Sequence, residues 1–181
     1  MDFNKKVDFF DTVKPGDIIT FRGETVLGKI IRWATMSNYN HSALYIGNQE
    51  IIEALSNGIV ISDINERLDN SKEEVYIDRV KNFDTSKTDA LIEYAKTFLN
   101  TKYDWIGLLG ILTKYSVRRL GLDKWITFWG RNRIEDQRKL WCSEYVGLVF
   151  KKFGIVFVPE DTSYLTPNEI HDSSEIANIQ F

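Results

Sequence analysis

The fold of this chain is organised around residues 140–150, LWCSEYVGLVF, which contain its single cysteine. From Tyr145 onward, apolar residues recur at steps of three and four, and Gly154 follows as a stop. This pattern predicts a helix from about Cys142 to Phe153. Cys142 then lies in the first helical turn, where free backbone N–H groups and the helix dipole lower the pKa of a thiol. The alternative is a small buried hydrophobic residue, which free cysteines often are.

The composition indicates one folded domain. With 181 residues, of which 43% are apolar and 13% aromatic, the chain can bury one sizeable core, and we expect a single domain over residues 1–181. One cysteine cannot form an intramolecular disulfide or a cysteine-rich zinc site, which favours a reducing compartment. No signal-peptide pattern or membrane-spanning apolar stretch is present, so a cytoplasmic location is expected. The net charge of −3 argues against a general nucleic-acid binder, and no nucleic-acid partner is expected.

The middle of the chain has the pattern of a β meander, and predicted helices and further strands lie on either side of it. Alternating apolar residues bounded by turn residues indicate the strands, and apolar residues at helical spacing indicate the helices. One of these helices, capped by Thr85 or Ser86, is expected to end near Asn100. The other predicted elements are strands at 18–21, 58–62, 75–80 and 155–158, a hairpin at 41–55, a short helix at 25–33, and a short helix and strand in the tail 167–181.

The predicted hairpin determines which side chains share a face of the sheet. If its loop holds three residues, Glu50 pairs with Ile46. Glu53 then pairs with Ala43, and His41 becomes a diagonal neighbour of Glu53 on the same face. Such neighbours lie roughly 7–8 Å apart between backbones, within reach of an imidazole and a carboxylate. A loop with an even number of residues places the two on opposite faces unless a bulge restores the register.

A nucleophilic thiol needs a base that holds it as thiolate and later protonates the leaving group, and histidine suits both tasks near neutral pH. Of the two histidines, His41 opens a strand beside a polar loop, whereas His171 is predicted to be a solvated residue of the polar tail. Glu53 can fix the tautomer of His41 if the register holds, and is otherwise a charged residue on an exposed sheet face. A zinc site that combines Cys142 with both histidines lacks compact ligand spacing, so no metal is expected.

Several short motifs together resemble a known family. They are Pro15-Gly16-Asp17, the strand HSALYIG at 41–47 with Glu53-Ala54 after it, Tyr103-Asp104-Trp105, and Trp141-Cys142-Ser143-Glu144. In this order the chain resembles the circularly permuted branch of the NlpC-type papain-like cysteine hydrolases. It is most similar to the YiiX/YebB-like group, relatives of the lecithin retinol acyltransferase-like proteins. In ordinary papain-like enzymes the cysteine precedes the histidine, whereas here His41 lies 101 positions before Cys142.

The resemblance implies an α+β fold in which a small antiparallel, barrel-like sheet packs against the N-terminal end of the cysteine helix, with further helices around it. It maps the nucleophile onto Cys142, the base onto His41 and the acidic third member onto Glu53. The implied activity is that of a thiol hydrolase or acyltransferase that forms an acyl-enzyme with an amide, ester or thioester, without a cofactor. The alternative is a binding module for lipid or protein that keeps the fold without turnover.

Aromatic side chains are expected around the site. Tyr45, Tyr103 and Trp141 are candidates to contact the substrate, although Tyr45 suits a barrel core better. An aromatic and basic helical insert at about 105–139 follows, and residues 114–139 contain eight Lys or Arg against three Asp or Glu. This insert is either a helical subdomain packed on the core or a lid that contacts an acyl chain or anionic lipid.

Overall fold

A computed structural model describes the chain at residues 1–24, 29, 32–33, 37–103, 139–158 and 165–181. Most of the predicted helix at 25–33 and nearly all of the insert at 105–139 lie outside the described residues. The described helices are α1 (Phe3–Thr12), α2 (Asn65–Leu68), α3 (Thr88–Lys96), α4 (Cys142–Lys151) and α5 (Pro167–His171). The described strands are β1 (Ile18–Gly23), β2 (His41–Gly47), β3 (Glu50–Leu55), β4 (Gly58–Asp63), β5 (Glu73–Val80), β6 (Lys102–Tyr103), β7 (Lys139–Leu140) and β8 (Ile176–Ile179).

Six of these strands form one antiparallel sheet in the order β4, β3, β2, β1, β5, β8. The central strands β1 and β2 are buried along most of their length, because apolar clusters cover both faces of the sheet. The sheet and its surrounding helices confirm the α+β class, and β2 with β3 confirms the hairpin. Strands β6 and β7 pair in parallel, so the chain leaves for the insert and returns from it at neighbouring positions.

The apolar side chains of the sheet divide between two core clusters. On one face, Leu44 and Ile52 cluster with Tyr145 of helix α4. On the other face, Ile51 clusters with Phe9 of helix α1. All five side chains are fully buried, and burial of each large apolar side chain contributes about 1.5–3 kcal/mol to folding. Helices α4 and α1 are therefore attached to the sheet from opposite sides.

The turn between β2 and β3 reaches the predicted register by a different route. Its loop consists of two residues, Asn48 and Gln49, with φ angles of 52° and 65°, the left-handed conformation that two-residue hairpin loops favour. Glu50 pairs with Gly47 rather than with Ile46, so the first of the two alternatives, a loop of three residues, does not occur. A bulge directly before Gly47 supplies the extra residue. The bulge that the register argument allowed as an alternative is thus confirmed.

The segment after helix α4 is not the predicted strand at 155–158. Gly154, at a φ of +84°, ends the helix, and the Ile155 N–H returns to the Phe150 carbonyl at 3.1 Å. Phe157 then packs on the core from an irregular segment. The apolar run at 155–158 therefore reflects burial and not strand pairing. In the tail, the predicted helix and strand are confirmed as α5 and β8.

The first helix is absent from the expectations drawn from hydrophobic pattern. Helix α1 is rich in polar residues, and its cap is local, because the Asp2 side chain accepts from the Lys5 N–H. Its fully buried Phe9 supplies the contact with the sheet. None of the helices in the described ranges combines the length and apolar character that a membrane span needs.

Candidate active site

Helix α4 begins at Cys142, which is only 6% exposed. Trp141 before it has an extended backbone and supplies no side-chain cap. The Trp141 indole N–H and the Ser143 hydroxyl both donate to the Leu165 carbonyl, at 3.2 and 2.6 Å, and fix the start of the helix. The predicted position of the cysteine in the first helical turn is confirmed. The thiol therefore lies at the positive end of the helix dipole.

His41 and Glu53 lie on the same face of the sheet, as the register argument predicts. Glu53 pairs with Ala43, which makes His41 its diagonal neighbour. The Nε2 atom of His41 lies 2.7 Å from Oε2 of Glu53. The two side chains are 12% and 2% exposed, and the Phe21 ring packs beside the imidazole with centroids 5.6 Å apart. The hydrogen bond fixes the orientation of the imidazole.

Cys142 meets His41 where strands β2 and β3 separate. The last pair of the ladder between these strands is Ala43 with Glu53, so Ser42 lies beyond the ladder, and hydrogen bonding from its backbone helps to lower the pKa of the Cys142 thiol. The His41 side chain and the Ser143 backbone act on the pKa of the same thiol in the same direction. Since Nε2 of His41 faces Glu53, the ring nitrogen that faces the sulfur is Nδ1.

Charge favours an ion pair between the thiol and the imidazole. Burial raises the pKa of Cys142, but the charge and hydrogen bond of His41, with the two backbone N–H groups, outweigh burial and lower it below the ordinary value. Burial lowers the pKa of His41, but the Cys142 thiolate and the Glu53 carboxylate outweigh that effect and raise it to about 9. Both shifts favour thiolate and imidazolium over the neutral pair.

Glu53 remains ionised although it is buried. Burial raises its pKa, but the hydrogen bond and charge of His41, the charge of Arg67 and a hydrogen bond from Ser62 lower it to about 2. The Nη2 atom of Arg67 donates to Oε2 of Glu53 at 2.8 Å. The carboxylate is thus a permanent acceptor for the far nitrogen of His41 near neutral pH.

Sequence reasoning missed Arg67. The residue lies in α2, a helix of four residues between β4 and β5, which is too short to show a hydrophobic period. A charge argument could have found it, because a buried carboxylate needs a cation. Arg67 is the first basic residue after Glu53 along the chain.

The aromatic candidates occupy different places. Tyr45 is 6% exposed and belongs to the cluster on the α1 face, which confirms the interpretation of Tyr45 as a core residue. Trp141 is 2% exposed and belongs to the cluster around the cysteine helix, and Tyr103 packs against that cluster. Substrate contacts by Tyr103 and Trp141 stay a prediction.

The predicted solvent exposure of His171 is wrong. Its side chain is 12% exposed, and its Nδ1 atom lies 2.8 Å from Oδ1 of the fully buried Asp78. The Asn178 amide donates to the same carboxylate at 2.9 Å, and the Tyr39 ring lies 4.3 Å from the imidazole. The polar tail folds back onto β5 through α5 and β8, because a buried carboxylate of the sheet binds its polar side chains.

The order of these parts defines a permuted papain-like fold, in which the strands with the histidine and the glutamate precede the cysteine helix. The chain belongs to the family of permuted papain-like amidase enzymes known as YaeF/YiiX or C92, whose family model matches residues 12–107. That match includes His41 and Glu53 and ends before Cys142. Membership supports a thiol hydrolase-like enzyme.

A solved structure has the same overall fold. The crystal structure of the metalloprotein YiiX from Escherichia coli O157:H7 matches with a TM-score of 0.66 over 92% of this chain and 96% of that one. The two sequences are 15% identical, so the likeness concerns the fold alone. No curated protein matches the sequence.

Proposed function

We propose that this protein is a cysteine hydrolase or acyltransferase that cleaves an amide, ester or thioester through an acyl-enzyme on Cys142. The observation that carries the proposal is the arrangement of three buried groups: the imidazole of His41 lies 2.7 Å from the Glu53 carboxylate, and the same imidazole lowers the pKa of the Cys142 thiol at the start of α4. A thiol held as thiolate by an imidazole, which is itself oriented by a carboxylate, is the arrangement that nucleophilic catalysis requires.

The first half of the reaction forms the acyl-enzyme. The Cys142 sulfur attacks the substrate carbonyl carbon, a carbon–sulfur bond forms, and the carbonyl electrons move onto oxygen. A backbone N–H at the start of α4 helps to hold that oxyanion in the proposed mechanism. His41 then gives its Nδ1 proton to the leaving nitrogen, oxygen or sulfur as the bond to the acyl carbon breaks.

The second half releases the acyl group. Neutral His41 takes a proton from water or from another acceptor, whose oxygen or nitrogen attacks the thioester carbon. Collapse of the second intermediate expels the Cys142 thiolate and restores the ion pair with His41. Glu53 keeps its hydrogen bond to His41 throughout and stabilises the imidazolium whenever it forms.

A metal is given no part in this mechanism. The described residues contain no group of three or more His, Cys, Asp or Glu that could hold a metal ion. Cys142 and His41, which are metal ligands in other proteins, already contact one another. The proposed steps use only side chains and backbone N–H groups of this chain.

A non-catalytic module for lipid or protein is the rival function, and contact with anionic lipid through 105–139 is part of it. Co-sedimentation with vesicles of anionic phospholipid at low salt tests that contact, with neutral vesicles as the control. Absence of binding to anionic vesicles at low salt contradicts the lipid contact. The closeness of the Cys142 thiol to the His41 imidazole favours the enzyme over the non-catalytic module.

Labelling tests the enzyme directly. The protein is treated with peptidyl, fatty-acyl and thioester electrophiles, and the mass of the intact adduct is measured. We expect one adduct, on Cys142, that is absent from Cys142→Ser and strongly reduced in His41→Ala. If the thiol reacts with iodoacetamide no faster than an ordinary exposed thiol, and His41→Ala leaves that rate unchanged, the proposed function is wrong.

A further inference from the structure

Arg67 contacts the same carboxylate oxygen that holds His41. Its Nη2 atom lies 2.8 Å from Oε2 of Glu53, and Nε2 of His41 lies 2.7 Å from the same Oε2 atom. The oxygen therefore accepts two charge-assisted hydrogen bonds, one from the base and one from the guanidinium. Any change in the Arg67 contact alters the acceptor that His41 uses.

The guanidinium is held in place by two further contacts. Its Nη1 atom donates to Oε1 of Glu73 at 3.1 Å, and its central carbon lies 5.4 Å from the centroid of the Phe21 ring. Phe21 also packs beside His41. Since the Arg67 side chain is 24% exposed, its contact with Glu53 is partly shielded from solvent, which strengthens it relative to a surface pair.

We propose that Arg67 is a positioning residue that shares the Glu53 carboxylate with His41 and so keeps the imidazolium able to release its proton. The inference rests on the proposed function and concerns the same site. A carboxylate without the guanidinium binds the imidazolium more tightly, because no second cation competes for Oε2. Proton transfer to the leaving group then becomes harder.

The direction of the effect follows from the charges around His41. Cys142 on α4 and Glu53 on β3 are the negative neighbours that raise the pKa of His41, and Arg67 on α2 is a cation that lowers the pKa of Glu53. Glu73 on β5 faces the far side of Arg67, and Glu144 is buried in the first turn of α4. Removal of the Arg67 cation favours the protonated forms of the groups around it. The pKa values of the Cys142 thiol and the His41 imidazolium should therefore both rise.

Arg67→Gln tests this, and Arg79→Gln is a matched control. Arg79 is also a partly buried arginine on a carboxylate, with contacts of 2.8 and 2.7 Å to Asp17. Two profiles are recorded against pH: the rate of Cys142 alkylation by iodoacetamide, and the His41 ring resonances by NMR. The His171 resonances serve as the internal reference.

We expect both profiles of Arg67→Gln to move upward by roughly one pH unit. At a pH on the rising part of the profile, alkylation then slows by up to about tenfold. Arg79→Gln should keep the wild-type profiles even if it unfolds more easily. Arg67→Lys, which keeps the charge with fewer donors, should recover most of the shift. If Arg67→Gln does not fold, Arg67→Met, which also removes the charge, is used in its place.

The outcomes separate the two proposals. If wild-type Cys142 is activated and the Arg67→Gln profiles superimpose on those of wild type, or move downward, the positioning role is wrong and the proposed function stands. A wild-type thiol without activation removes the proposed function itself. An equal upward movement in Arg79→Gln assigns the effect to general loss of positive charge and contradicts a role specific to Arg67.

Discussion

Glu53 stands opposite Ala43 in the ladder between β2 and β3, and it is the last residue of β3 to pair with β2. This single pairing directs the glutamate carboxylate to His41, two residues before Ala43. It also leaves Ser42, the residue of β2 just before Ala43, outside the ladder, where its backbone helps to lower the pKa of the Cys142 thiol. The geometry of the site is therefore a property of sheet register as much as of the residues themselves.

The first prediction concerns thiol reactivity. We expect Cys142 to be alkylated by iodoacetamide well below pH 9, because its pKa is lower than the ordinary thiol value of 9.0. In His41→Ala, burial acts without the imidazolium and raises the pKa of the thiol, so the rate near neutral pH should fall at least about tenfold. Time courses of intact mass across a pH series measure this. His171→Asn, if it folds, should retain the wild-type rate.

The second prediction concerns Glu53→Gln. The amide keeps the size of the carboxylate but removes a negative charge beside His41, so the pKa of His41 should fall from about 9. NMR titration of the His41 ring measures the change. Turnover of any substrate found by labelling should fall by about ten- to a hundredfold. Glu66→Gln, at an exposed position on the same helix as Arg67, is the control, and an equal effect there contradicts the prediction.

The third prediction concerns acid stability. The pKa of Glu53 is about 2 in the folded protein against an ordinary 4.5, so its ionisation stabilises the fold fully above pH 4.5. That contribution disappears as pH falls toward 2. It amounts to about 3 kcal/mol of unfolding free energy. Urea unfolding at several pH values should therefore show a weaker loss of stability in acid for Glu53→Gln than for wild type. Parallel curves for the two proteins contradict this.

The fourth prediction concerns the Asp78 and His171 pair. Asp78→Asn removes the buried charged acceptor that His171 and Asn178 contact. The free energy of unfolding should therefore fall by about 1–3 kcal/mol. Urea unfolding measures the loss. Asp8→Asn, at an exposed position of α1, should leave the unfolding free energy close to that of wild type. The native form of Asp78→Asn should still react through Cys142, since the pair lies outside the catalytic contacts.

Local pattern was enough to predict the cysteine helix and the histidine strand. Cys142 is followed by apolar residues at helical steps, and His41 opens a run with strand character, so both elements follow from neighbouring residues. The pairing of Glu53 with Ala43 could be stated only as a condition. A bulge depends on how the whole hairpin packs, and no single residue type in the sequence indicates it.

Patterns among neighbouring residues do not predict contacts between distant segments. Arg67 and Asp78 act through buried charge, and their partners are distant from them along the chain or on other elements. The polar neighbours of His171 predict a solvated side chain, yet the tail folds so that His171 contacts the buried Asp78 carboxylate. Ile155 and Phe157 are residue types that favour a strand, but packing against the core around α4 requires apolar residues as well.

The permuted order of the chain has a consequence for its synthesis. The hairpin with His41 and Glu53 is local, whereas Cys142 lies 101 positions later than His41. On the ribosome, the imidazole and its carboxylate are made before the thiol, and the contacts that lower the pKa of Cys142 form only when α4 docks on the finished sheet. We therefore expect the reactivity of Cys142 toward electrophiles to report completed assembly.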